Sequence, residues 1–166
     1  LYVVLEFMHV KPGKGAAILK TKLKDLRTGT VLERNFNTNT KFEQAMIETK
    51  PVQYSYEAGG TYFFMDMETF ETYELSADAV GDNKYYLLEG MEISLRFFET
   101  EVLGIVMPDK VTLVVTETTD AAPGASSTST KDAVLETGLR LRVPQFIKQG
   151  EKIIVSTLDG SYSSRA

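Results

Sequence analysis

The stretch Lys11-Pro12-Gly13-Lys14-Gly15 has the residue types and spacing of a loop that presents a cation. Pro12 fixes its own φ and biases Lys11 toward extended backbone, whereas the two glycines accept dihedral angles that are closed to other residues. The chain can therefore turn sharply around Lys14, which has no bulky or acidic neighbour. An ammonium group at such a tip suits a narrow anionic cleft, where it meets phosphate or ribose oxygens.

An alternative for this loop is a plain β-hairpin with a solvated lysine at its turn, and the residue types alone favour it. A phosphate-binding loop of the G-x-x-x-x-G-K-[ST] type is excluded, because that pattern is absent and no helical periodicity follows. We expect a positive surface to continue behind the loop through further basic residues, namely Lys11, Lys20, Lys22, Lys24 and Arg27.

The other side chains exclude most catalytic and metal-binding chemistry. The sequence has no cysteine, which rules out disulfides, thiolate zinc sites, iron–sulfur clusters and thiol catalysis. His9 is the one histidine, and its place in an apolar run favours a structural role over a catalytic one. We therefore expect neither an enzyme nor a cofactor, since a small hydrolase would have to rely on His9 alone.

Charge is distributed unevenly along the chain. Residues 1–44 carry 8 basic and 4 acidic side chains, residues 45–109 carry 3 and 13, and residues 110–166 carry 7 and 6. This asymmetry predicts separate modules, of which the first can approach a polyanion and the second cannot. Four carboxylates of the middle segment lack the calcium-loop pattern and are expected to form a solvated acidic face. They are Asp66, Glu68, Glu71 and Glu74.

Alternation and turn residues predict that these side chains are positioned almost entirely by β-strands. Residues 1–10 are expected to form a buried strand, and residues 17–26 a strand with one wet face. Further strands are expected at 31–36, 52–56, 61–67, 71–75, 91–98, 102–106, 111–117, 139–143 and 153–157. One helical turn capped by Ser76 is expected at 76–80, and a flexible loop at 120–130.

A weak internal repeat supports two related units within this all-β chain. The pattern G-x-x-I-x-[LV] occurs at residues 90–95 and again at 150–155. Together with the change of charge near residue 45, it predicts three small β-barrels, of which the last two are OB-like. The predicted domains are residues 1–44, 45–109 and 110–166.

Five short motifs have the order and spacing of one known family. They are His-Val-Lys-Pro-Gly-Lys-Gly-Ala-Ala at 9–17, Thr-Lys-Leu-Lys at 21–24, Thr-Gly at 28–29, Phe-Met-Asp-Met-Glu-Thr-Phe-Glu at 64–71 and Gly-Ser-Tyr-Ser-Ser-Arg at 160–165. Through almost all of its length, the chain resembles bacterial-type translation elongation factor P. The resemblance implies an SH3-like (KOW-type) barrel followed by two OB barrels in an L shape, and an amino-terminal truncation that removes the first strand.

The resemblance also implies a function that depends on positioning rather than chemistry. Such factors bind the ribosome between the peptidyl and exit sites, contact the peptidyl-tRNA and stimulate peptide bond formation at consecutive prolines. Lys14 matches the family's tip lysine, which reaches the CCA end of the tRNA and in many members is extended by a lysine-modifying enzyme. Lys11, Pro12, Gly13 and Gly15 would support that tip.

Further RNA contacts are expected in the amino-terminal segment and at the carboxy-terminal end. Lys20 and Lys22 are expected to bind RNA, and Tyr162 and Arg165 match family positions near the tRNA or ribosome, although Tyr162 suits barrel packing equally well. The acidic middle segment resembles a mimic of tRNA charge. Residues 122–128 depart from the family's Asp-Pro-Gly-x-Lys-Gly-Asp-Thr, which puts docking of the third barrel near the small subunit in doubt.

Another class of function is a generic OB-fold protein that binds single-stranded nucleic acid. It would need aromatic side chains on a basic face, yet most aromatic residues lie in the most acidic segment. No apolar run approaches the roughly 20 residues of a membrane helix, so no membrane partner is expected. The expected protein is a monomer in the bacterial cytoplasm, or in the stroma or matrix of an organelle.

Overall fold

The computed structural model describes residues 1–11, 13, 15 and 17–166, and nearly all of their regular structure is β. The strands are β1 (Tyr2–Val10), β2 (Ile18–Asp25), β3 (Val31–Asn37), β4 (Ile47–Ala58), β5 (Thr61–Asp66), β6 (Thr72–Ser76), β7 (Glu92–Phe98), β8 (Glu101–Val106), β9 (Lys110–Thr118), β10 (Thr130–Leu135), β11 (Arg140–Pro144), β12 (Lys152–Ser156) and β13 (Tyr162–Arg165). The helical residues lie in α1 (Ala77–Val80) and in a 3₁₀ helix (Gly81–Tyr85). The predicted all-β class is confirmed.

The one predicted helical turn is also confirmed. The Ser76 hydroxyl accepts a hydrogen bond from the backbone N–H of Ala79 at 3.2 Å, which caps α1. Among the described residues, no helix has both the length and the apolar character needed to span a membrane.

Two strands, β10 and β13, were absent from the sequence prediction. Lys131 of β10 lies on the buried side of the strand and is only 6% exposed. A lysine at a buried position interrupts the alternation of apolar residues that predicts a strand. Its ammonium group donates to the Thr119 carbonyl, which supplies a polar partner inside the fold. β13 is short, contains two serines and pairs only with β12, so its sequence carries little of the apolar pattern of a strand.

The strands form three sheets in the described part of the chain. Their orders are β1-β2-β3, β6-β5-β4-β7-β8 and β11-β10-β9-β12-β13. The two five-stranded sheets share one connectivity, and the repeated G-x-x-I-x-[LV] pattern leads into β7 in one and into β12 in the other. These are equivalent strands, so the weak repeat in the sequence corresponds to a repeated architecture.

The chain divides into two compact units. One comprises Leu1–Glu48 with Phe97–Leu103, and the other comprises Thr49–Arg96 with Gly104–Ala166. In the second unit, Tyr86 lies in the core of the carboxy-terminal sheet, and the Thr137 hydroxyl donates to the Tyr85 carbonyl at 2.5 Å. These contacts join the segment between β6 and β7 to the carboxy-terminal sheet. The division into three domains at residues 44 and 109 stays a prediction.

The expectation that residues 1–10 form a buried strand is wrong. β1 is an edge strand of the three-stranded sheet, and its apolar side chains are largely exposed, with Phe7 at 74% and Met8 at 63%. His9 is exposed as well, opposite Leu19 of β2. The apolar run predicted the strand correctly, but burial depends on what packs over it, which the run itself does not specify.

The expectation of a solvated acidic face is wrong at one of its four positions, Asp66. Its side chain is only 4% exposed, and Oδ1 accepts the backbone N–H groups of Glu68 at 2.8 Å and Thr69 at 3.0 Å. These donors, that of Thr69 foremost, lower the pKa of the Asp66 carboxyl below its ordinary value. Asp66 therefore forms the turn between β5 and β6, whereas Glu68, Glu71 and Glu74 are exposed as expected.

The Asp66 turn predicts a pH-dependent contribution to stability. Because the folded pKa lies below the unfolded one, the contribution is present above the ordinary aspartate value of about 3.9 and is lost as the pH falls through the folded value. We expect Asp66→Asn, which keeps an oxygen acceptor, to lack this part of the acid destabilisation in urea unfolding series. Glu68→Gln is the matched control and should follow the unsubstituted protein; identical pH profiles for both variants would contradict this account.

Gly160 predicts a second effect on stability, because its φ is +74° and an added Cβ would lie 3.1 Å from the Tyr86 hydroxyl. Gly138 has a similar φ of +87° but open space around it, so it provides the control. We expect Gly138→Ala to cost about 1–2 kcal/mol from backbone strain alone, and Gly160→Ala to cost measurably more because buried Tyr86 cannot move away. Denaturant unfolding measures both; equal losses would show that the Tyr86 contact is unimportant.

Candidate nucleic-acid interface

The hairpin of β1 and β2 positions the lysine loop predicted from the sequence. The strands pair antiparallel, and Val10 opposite Ile18 is the last pair before the loop. Lys11 and Gly13 are exposed, and Gly15 has a φ of +136°, a conformation that favours glycine. Pro12 and Lys14 lie outside the described residues. The hairpin is therefore established, and the role of Lys14 stays a prediction.

The middle strand of the amino-terminal sheet carries a row of lysines. Lys20, Lys22 and Lys24 alternate along β2 with Thr21 and Leu23, and these last two are buried. The predicted strand with one wet face is confirmed. The Thr21 hydroxyl donates to the Arg34 carbonyl of β3 at 2.7 Å, so the polar atom on the buried side also has a partner.

The cross-strand neighbours distinguish Lys22 from Lys20. Lys22 is opposite Glu6 of β1 and Glu33 of β3, whereas Lys20 is opposite Met8 and Asn35. Opposed residues share a face of the sheet, and carboxylates beside an ammonium group offset its positive potential. Lys20 therefore retains more of its attraction for a phosphate than Lys22 does. This difference follows from the strand register and cannot be read from the sequence alone.

Arg27 was expected to extend the positive surface, but its charge is offset by Glu101. The guanidinium donates three hydrogen bonds to this carboxylate at 2.9, 3.2 and 3.0 Å. The interaction raises the pKa of Arg27 and lowers the pKa of Glu101, chiefly through the hydrogen bonds themselves. Both side chains are about half exposed, at 48% and 45%, so we assign the pair an electrostatic rather than a large stabilising role.

At the carboxy end, the two predicted contact residues have different surroundings. Tyr162 is partly buried and packs against the core of its sheet, as the alternative of barrel packing requires. Arg165 donates to both oxygens of Glu151, at 2.9 and 3.3 Å, and its guanidinium lies 5.1 Å from the ring centroid of Phe146. A phosphate at Arg165 would therefore compete with Glu151 for the same donors.

Residues 120–129 of the loop predicted at 120–130 contain no strand or helix, whereas Thr130 begins β10, and Gln145 bonds to residues near both ends. The Gln145 side chain accepts the N–H of Ala122 at 3.1 Å and donates to the Thr130 carbonyl at 3.0 Å. Within the loop, the Ser126 hydroxyl lies 3.0 Å from that of Thr128 and 2.9 Å from that of Ser129. The loop thus has hydroxyl side chains at positions where the pattern of the resembled family has a lysine and an aspartate.

The described residues contain no group of three or more histidine, cysteine or acidic side chains placed to hold a metal ion. The net charge is positive over residues 1–44 and negative over residues 45–109. The positive amino-terminal segment can attract a polyanion.

Comparison with known proteins agrees with this arrangement. Residues 1–42 match the elongation factor P (EF-P) KOW-like domain, residues 47–105 the elongation factor P (EF-P) OB domain, and residues 111–165 the elongation factor P C-terminal domain. A solved structure described as eukaryotic translation initiation factor 5A from Methanococcus jannaschii has a similar fold. It is 24% identical, with a TM-score of 0.51 over 63% of this chain and 77% of that one.

The three domain matches follow one another in a single order and together cover nearly the whole chain. They agree with a three-stranded sheet followed by two five-stranded sheets of equal connectivity. The chain therefore belongs to the elongation factor P family and is a translation elongation factor rather than an enzyme.

Proposed function

We propose that this protein binds the ribosome between the peptidyl and exit sites, contacts the peptidyl-tRNA and stimulates peptide bond formation at consecutive prolines. The observation that carries the proposal is the β1–β2 hairpin, which ends in a glycine-flanked lysine loop beside a row of lysines. A loop on a paired hairpin can reach into a cleft while its sheet stays outside. The family supports the same role.

The proposed mechanism is positioning. Proline is a poor partner in peptide bond formation because its ring fixes φ and restricts the geometry of the nascent chain. An ammonium group that holds the CCA end and its ester in an attack-ready pose lowers the entropic part of the barrier. Lys14 is the residue proposed for that contact, with or without an extension added by a lysine-modifying enzyme.

The distribution of charge supports an orientation for the bound factor. The lysine row of β2 suits phosphates of the tRNA, whereas residues 45–109, with 3 basic and 13 acidic side chains, are repelled by RNA and resemble it in charge. The proposed compartment is one that contains ribosomes of bacterial type, either the cytoplasm of a bacterium or the stroma or matrix of an organelle.

The first test of this function is Lys14→Ala in a reconstituted translation system that stalls at consecutive prolines. We expect the rate of Pro-Pro bond formation to fall about tenfold or more, equivalent to about 1.4 kcal/mol of lost transition-state stabilisation. Lys41→Ala, which removes an exposed lysine of the same unit outside the loop, is the control and should retain most of the activity.

Full rescue by Lys14→Ala would refute the role assigned to this residue. An unchanged unfolding midpoint is expected for both variants. Intact-mass measurement of the protein from its native source tests separately whether Lys14 carries an extension.

A second test compares Lys20→Ala with Lys22→Ala in binding to ribosomes that hold a peptidyl-tRNA. We expect Lys20→Ala to weaken binding more, because Glu6 and Glu33 already offset the charge of Lys22. The slope of log K against log salt concentration should become shallower by about 0.7–0.9 for each phosphate that the variant no longer neutralises. Equal reductions of affinity in the two variants would contradict the distinction drawn from the register.

A further inference from the structure

The outer face of the middle five-stranded sheet carries aromatic side chains that its core does not use. Inward residues such as Tyr54 and Phe64 are buried, whereas Tyr56 and Phe63 are register partners on the opposite face. Their rings are stacked, with centroids 4.6 Å apart and planes inclined by 19°. Tyr56 is 48% exposed and Phe63 is partly buried, so the pair reaches the surface mainly through the Tyr56 ring.

Neighbouring strands extend this surface. Phe63 is opposite Glu74 of β6, so a row of two aromatic rings and a carboxylate crosses β4, β5 and β6. Met65, two residues further along β5, lies on the same face and is opposite Gln53. We call Tyr56, Phe63, Met65 and Glu74 the aromatic face.

The charge around the aromatic face excludes the usual ligand of an aromatic β-surface. Proteins that stack nucleic-acid bases on a sheet combine aromatic rings with a positively charged groove. Here the segment 45–109 has an excess of ten acidic side chains, and Glu74 lies within the face itself. A phosphate backbone would be repelled from such a surface.

The same groups suit a cationic protein surface. Guanidinium and ammonium groups are attracted to the faces of aromatic rings, and arginine forms paired hydrogen bonds with a carboxylate such as Glu74. Tyrosine and methionine are also enriched in protein–protein interfaces, where a flat ring supplies contact area at little cost in conformational entropy. The fold itself shows this chemistry in the same segment, where the Lys84 ammonium lies 5.0 Å from the ring centroid of Tyr85.

We propose that the aromatic face is a docking site for a protein surface rich in arginine and lysine. The identification of that partner as a basic protein of the ribosome rests on the proposed function. The chemistry of the face does not, because it follows from the stacked rings, the carboxylate and the charge of the segment alone.

The first experiment places a photoreactive benzoylphenylalanine at position 56 of the full chain and irradiates it on bacterial ribosomes that hold a peptidyl-tRNA. The expected product is a cross-link to a basic ribosomal protein. Cross-links to RNA alone, to an acidic protein or to nothing would overturn the proposal, provided that the substituted factor still binds the ribosome.

Point variants measure the contribution of the face to ribosome affinity. We expect Tyr56→Ala and Glu74→Lys each to weaken binding about fivefold or more. Their matched controls are Leu158→Ala, which removes an apolar side chain that is 81% exposed, and Asp120→Lys, which reverses an exposed charge in the loop after β9. Equal effects of a variant and its control would overturn the proposal.

A ribosome-independent experiment separates this inference from the proposed function. Nuclear magnetic resonance follows the backbone amides of Tyr56, Phe63 and Glu74 and the rings of the two aromatic residues. The protein is titrated with poly-L-arginine and, separately, with poly(U) RNA. We expect poly-L-arginine alone to shift these resonances. Shifts caused by poly(U), or by neither polymer, would overturn the docking site even if the protein binds ribosomes, whereas shifts by poly-L-arginine without ribosome binding would contradict only the proposed function.

Discussion

The antiparallel pairing of β1 with β2 is the constraint on which the proposed activity depends. It brings the backbones of Val10 and Ile18 together, so the residues between them have to turn within one short loop. The positive φ of Gly15 shows that glycine is required for part of that turn. In the proposed function, this loop is the part of the protein that enters the cleft beside the tRNA.

The second physical theme is the separation of charge between structural parts. On β2, a row of lysines lies on one face, and its net charge is reduced where Glu6 and Glu33 flank Lys22. The middle segment has the opposite net charge, and Glu74 lies opposite Phe63, whose ring stacks on that of Tyr56. The proposed contacts with RNA and with a basic protein therefore lie on different parts of the chain.

Local pattern was sufficient to predict most strands, the Ser76 cap and the β1–β2 hairpin, because each depends on neighbours within a few residues. Local pattern failed where residues far apart in the sequence interact. The partner of Arg27 is Glu101, 74 residues away, and Tyr86 enters the core of a sheet formed by later residues. β10 was not predicted because a buried lysine is unexpected in a strand, and its hydrogen-bond partner, the Thr119 carbonyl, is known only from the fold. The exposed apolar face of β1 shows that an apolar run does not by itself predict burial.

The most direct test of the central claim is a density map of this factor on a ribosome stalled at consecutive prolines, with peptidyl-tRNA in place. The account predicts that the end of the β1–β2 hairpin lies beside the acceptor end of that tRNA, with the Lys14 side chain within hydrogen-bonding distance of its ribose or phosphate oxygens. A map in which the factor is bound but the hairpin points away from the acceptor end would contradict it.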